Sequence, residues 1–146
     1  MRFWLTVLVL GILLALAFRR GGQPERIVAS LLSLAFAVEL ARNTLTGAPA
    51  FRTLDLFMMA VDSAVLLGMI GVAVQANRLW PMVVAALQLV ILTAHISLLL
   101  QLKGIVGAYW GMSVLPIYPQ FACLLGGILA HMRRRKRYGP YPDWRK

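Results

Sequence analysis

The apolar residues of this chain come in long, nearly unbroken runs, and arginines or Pro/Gly breaks close them. From Phe3 to Phe18 nothing more polar than Thr6 interrupts the run, and Arg19-Arg20 ends it. A soluble amphipathic helix would place polar residues every third or fourth position. Only helices and closed barrels satisfy every backbone group in lipid, and runs of this length read as spanning helices. Composition agrees. The chain has 146 residues, 60% hydrophobic and 14% charged, against about 45–50% and about 25% for soluble domains.

The expectation is an all-α, polytopic transmembrane bundle of five spans, at about 3–18, 27–45, 54–76, 79–102 and 115–132. Cleavage of the first run as a signal peptide, at the small residues Ala15-Leu16-Ala17, would leave four. Against cleavage, bases follow the run rather than precede it. Pro24 and Pro81 suit helix first turns, where a missing N–H costs nothing. The region 105–132 contains Pro116 and Pro119, so a surface or re-entrant segment over about 105–115 is expected before a shorter last span. One kinked helix is the alternative. Residues 133–146 read as a basic, Tyr/Pro-containing tail, whose part from Tyr138 to Lys146 cannot be a regular helix and is expected to lie extended near headgroups.

Charge sets the orientation. The formal charge is +10. With the N-terminus outside, eleven Lys and Arg fall inside, among them Arg133, Arg134, Arg135, Lys136 and Arg137. Four fall outside. The positive-inside rule selects this topology, with the C-terminus in the cytoplasm. The basic run is then a topology anchor beside anionic lipid rather than a nucleic-acid patch. Trp80, Tyr109, Trp110 and Tyr118 are placed as interface anchors. Ala60, Ala64 and Gly68 recur at the spacing that lets membrane helices approach closely.

Ionisable residues inside spans are costly, about 2.5–3.5 kcal/mol each on insertion scales, and mark functional candidates. Glu39, Asp62 and His95 lie on three consecutive spans. At 1.5 Å per residue all three fall in the outer half, within about 6 Å of depth. Gln88 shares a helix face with His95, and Arg42 can pair with Glu39. Two readings stand: packing bonds between helices, or a polar pocket that titrates protons or holds a small ligand. No metal-ligand spacing is present, and no cofactor is expected. Cys123 and the Met58, Met59 and Met69 group read as packing. GxSxG, HExxH, P-loop and GxGxxG motifs are missing, so no enzyme is expected.

Asn77-Arg78-Leu79-Trp80-Pro81, with Gln88-Leu89, Thr93-Ala94-His95 and the basic run from His131, resembles a pattern in short alphaproteobacterial membrane proteins with no assigned activity. The resemblance covers 70–137. It implies a bacterial inner membrane and a helical bundle, and makes Arg78, Trp80, Pro81 and His95 the first positions to test. The sequence thus supports a structural or complex-forming membrane protein, its partners being lipid, other membrane proteins or a second copy. The alternative is a small, oligomeric, proton-linked transporter or pore.

Overall fold

The computed structural model of the protein describes residues 2–46, 56–76, 78–99 and 111–144. These residues are all-α, in five helices: α1 Arg2–Arg20, α2 Gln23–Thr46, α3 Leu56–Gln75, α4 Trp80–Leu99 and α5 Ile117–Tyr138. Four stretches are long and apolar enough to cross a membrane: Gln23–Leu45, Leu56–Gln75, Trp80–Ser97 and Gly111–Tyr138. Each helix packs on the next, and α5 returns to α1 and α2, closing the bundle.

Local chemistry explains the ends. Gly21 and Gly22 separate α1 from α2, and the Glu25 carboxylate reaches back to accept the Gly22 N–H at 3.0 Å. Pro24 occupies the first turn of α2, where no carbonyl waits for its N–H. Pro119 occupies the same kind of position in α5. The two prolines therefore leave one spanning stretch possible: a single helical turn at 111–114 joins α5 through Leu115-Pro116, with the Leu115 N–H on the Gly111 carbonyl at 3.0 Å. The part of the expected surface segment over 105–110, with Tyr109 and Trp110, lies outside the described residues.

Two boundaries differ from the sequence reading. The second helix begins at Gln23 rather than Ile27. The last continues past Met132 to Tyr138, so Arg133–Arg137 are its final turns and not an unstructured tail. Lys and Arg are good helix formers and are favoured at a helix C-terminus by the dipole. Gly139, at φ 73°, ends the helix, its N–H bonding the Arg135 carbonyl at 3.1 Å.

The middle of the bundle is apolar and tightly filled. Met69, Val84, Leu124 and Ile128 are at most 1% exposed. In lipid such contacts stabilise through close packing rather than water exclusion. Gly68 belongs to this packing, since a Cβ there would stand 3.0 Å from Leu31. Ala60 and Ala64 do not, and both face outward. Trp80, expected as an interface anchor, is half-buried and lies over Gly127 instead. A Cβ at Gly127 would come within 2.6–3.0 Å of its ring. Replacing Gly127 with Leu is therefore expected to lower stability by about 1–3 kcal/mol, the usual cost of overpacking. Gly126 has nothing within 4 Å of its would-be Cβ, so Gly126→Leu is the matched control. Unfolding midpoints in mild detergent compare the two.

Candidate functional site

Two polar clusters interrupt the apolar interior, one in each half of the bundle. The first forms where α2, α3, α4 and α5 meet. His95 and Gln88 are seven residues apart on α4, so both face α3. Asp62 on α3 meets them together. Its Oδ2 lies 3.0 Å from His95 Nε2, and its Oδ1 accepts from Gln88 Nε2 at 3.1 Å. Gln88 Oε1 then accepts from Gln120 Nε2 on α5 at 3.0 Å. The result is a hydrogen-bonded chain across three helices. Gln88 and Gln120 are fully enclosed, while Asp62 and His95 each keep 13% side-chain exposure.

This chain borders a cavity of about 120 Å³. Glu39 and Arg42 of α2 line it as well, so the five polar residues singled out in the sequence share one cavity. The rest of the wall is largely apolar, with Phe36, Ile91 and Phe121. Gln120 was not foreseen. Its amide nitrogen is committed to Gln88, but its Oε1 is buried with no hydrogen-bond partner. A buried acceptor without a donor is uncommon and costs about 1–3 kcal/mol. Gln120 itself lines the cavity, so a turn of its amide would bring Oε1 to a water or a ligand N–H or O–H there. No group of three metal-ligating side chains exists among the described residues.

Chain comparison adds no relative. No protein-family model, curated protein or solved structure matches this chain.

The second cluster was not anticipated. It lies at the basic end, where the α1–α2 link, the α3–α4 link and residues 139–144 come together. Arg78, counted in the sequence as an inside base and named by the resemblance as a position to test, is its centre. The guanidinium makes a direct ion pair with Glu25, and the two side chains are 3% and 0% exposed. It also donates to Asp143 Oδ1 at 2.7 Å and to the Tyr141 hydroxyl at 3.1 Å. His131 Nδ1 sits 3.1 Å from the same guanidinium and 2.7 Å from the Tyr141 hydroxyl. Arginine only donates, so Nδ1 is an acceptor and the ring hydrogen belongs on Nε2. Burial pushes the Tyr141 phenol above its ordinary pKa, which keeps its hydroxyl protonated and able to donate.

Residues 139–144 form a strap rather than an extended tail. Asp143 Oδ2 accepts the Gln23 N–H at 2.9 Å, capping the start of α2 from 120 residues away. Trp144 bonds the Gln23 side chain and pairs with Ala76 through a β-bridge. Gly22 makes the close approach feasible, because a Cβ there would stand 2.5 Å from Asp143 Oδ1 and 2.9 Å from the His131 ring. The signal in the sequence was the scarcity of acids. Only five occur, and two of them, Glu25 and Asp143, converge on Arg78.

The two clusters are not continuous. Gln120 and His131 are eleven residues apart on α5, about 16 Å along the helix. Between them lie the close-packed side chains Leu124, Ile128, Met69 and Val84.

Proposed function

We propose that this chain is an accessory membrane protein of the bacterial inner membrane that holds a small hydrogen-bond-donating ligand, organic cations included, in the outer half of its bundle. Its basic end faces the cytoplasm, with α1 retained as a fifth span and the N-terminus outside. The exposed Arg19, Arg20, Arg26 and Arg133–Arg137 all lie at one end, which is what the positive-inside rule favours. The observation that carries the ligand reading is Gln120 Oε1, an acceptor without a donor on a residue that lines a cavity also presenting Glu39 and Asp62. Two carboxylates, against one arginine and a histidine already paired with Asp62, favour a donor-rich or cationic occupant. Binding does not require the cavity to open at both ends.

Purified protein in mild detergent, titrated with a series from ammonium to choline-sized cations, tests this. At a concentration 100 times Kd a bound cation stabilises by about 2.7 kcal/mol. At least one member is expected to raise the unfolding midpoint of the parent and to lose that effect in Gln120→Leu. A flat response across the series, or an undiminished one in the variant, would sink the reading.

A second reading is proton-linked transport by an oligomer. The Asp62–His95 pair favours it, since an imidazole nitrogen 3.0 Å from a carboxylate oxygen is placed to pass a proton to it. The apolar layer between Gln120 and His131 would then have to open during each cycle. Proteoliposome flux that survives Asp62→Asn would remove this alternative.

A further inference from the structure

The basic end holds a second cavity, of about 280 Å³, between the start of α2, the end of α5 and the strap. Its volume is near the lower limit of small-molecule sites, about 300–1,000 Å³. Arg26 reaches it from α2 and Arg135 from α5, while Gly21 and Gly22 leave one wall as bare backbone. Both arginines are exposed, and neither has an acidic partner among the described residues. Asp143 also borders the cavity. Its two oxygens are already taken, one by Arg78 and one by the Gln23 N–H. Arg78 is shared with Glu25, so that carboxylate keeps part of its charge, but its oxygens are turned to their own donors and the two free guanidiniums outnumber it on the cavity wall.

We propose that this cavity binds the phosphate group of an anionic phospholipid, with Arg26 and Arg135 as its ligands. Guanidinium forks match phosphate oxygens bidentately. The depth fits as well. Arg26 is in the first turn of one apolar helix and Arg135 in the last turns of another, so both reach the level at which headgroups flank a spanning bundle. Basic pockets between helices on the cytoplasmic side are the usual form of headgroup site. Arg133 and Arg137, by contrast, border no part of the cavity and supply only diffuse attraction. The assignment rests on the bundle spanning a membrane with its basic end at a headgroup layer. It is independent of any ligand in the outer-half cavity.

The experiment uses the full chain in a neutral detergent, titrated with short-chain phosphatidylglycerol, phosphatidylcholine of the same chain length, and inorganic phosphate. Two double variants carry equal charge changes, Arg26→Gln/Arg135→Gln in the cavity and Arg133→Gln/Arg137→Gln outside it. Phosphatidylglycerol is expected to bind at least tenfold more tightly than phosphatidylcholine. The cavity variant should weaken it at least tenfold and the outer variant less than threefold. Equal weakening by the two variants would reduce the effect to diffuse charge and overturn the site. Equal binding of both lipids would do the same. Inorganic phosphate binding as tightly as phosphatidylglycerol would overturn the lipid assignment in favour of the free anion.

Discussion

Arg78→Ala is expected to be the most damaging single substitution in the described part of the chain, costing about 3–5 kcal/mol. The reason is what it leaves behind. Glu25 is 0% exposed, and Arg78 is its charge partner. Asp143 loses the same partner, and Tyr141 and His131 lose a donor. Buried ion pairs are not strongly stabilising against an apolar replacement, but half of one is very costly. The double variant Arg78→Met/Glu25→Met should therefore unfold at a higher temperature than Arg78→Ala alone. Arg78→Lys should not rescue fully. A single ammonium cannot address Glu25, Asp143, Tyr141 and His131 with the geometry of a guanidinium fork. Unfolding midpoints in mild detergent rank the variants. A double variant no more stable than the single one would show that the cluster is held by packing rather than by charge.

The second large effect is expected at the opposite cluster. His95→Leu removes the partner of Asp62 Oδ2 while the carboxylate stays enclosed beside Glu39. The expected loss is about 2–3 kcal/mol, the scale of an uncompensated charge on insertion measurements. Asp62→Leu/His95→Leu removes the charge together with its partner and should lose less, about 1 kcal/mol, since ordinary interhelical hydrogen bonds in membranes average about 0.6 kcal/mol. Unfolding by an anionic detergent added to a neutral one measures both. Equal losses in the single and double variants would mean that the pair does not couple.

The helices were legible because apolar runs and Pro/Gly breaks report directly on local structure. All five were found, with ends displaced by a few residues. The largest displacement, at Arg133–Arg137, came from treating charge as the end of a helix. Charge ends an apolar span, but it does not end helical hydrogen bonding. Glu39, Asp62 and His95 were matched by depth counting, because regular rise converts position into height, and Gln88 and Arg42 were joined to them by helix-face spacing; all five line one cavity. Gln120 escaped that count because it stands beside Pro119, in a stretch read for its breaks rather than for its polar side chains. The Arg78 cluster escaped for a different reason. Glu25, Arg78, His131 and Asp143 come from three links and helix ends, and no periodicity connects residues that far apart. From its own chemistry Arg78 read as one more topology base among fifteen, and the resemblance that singled it out gave it no role. Only the pairing of scarce acids with one base in a short link set it apart.

The strap has a bearing on how the molecule is made. Asp143 caps Gln23 across 120 residues, whereas Glu25 meets Arg78 across 53. Translation at about 5–20 residues per second separates the arrival of Gln23 and Asp143 by roughly 6–24 s. Throughout that interval the α2 N-terminus and part of the Arg78 guanidinium lack their final partner. The first four helices can assemble around the Glu25–Arg78 pair, but the basic end closes only when the strap docks. A chain that ends before Asp143 would thus be a bundle whose helices are in place and whose basic end still shows an open notch.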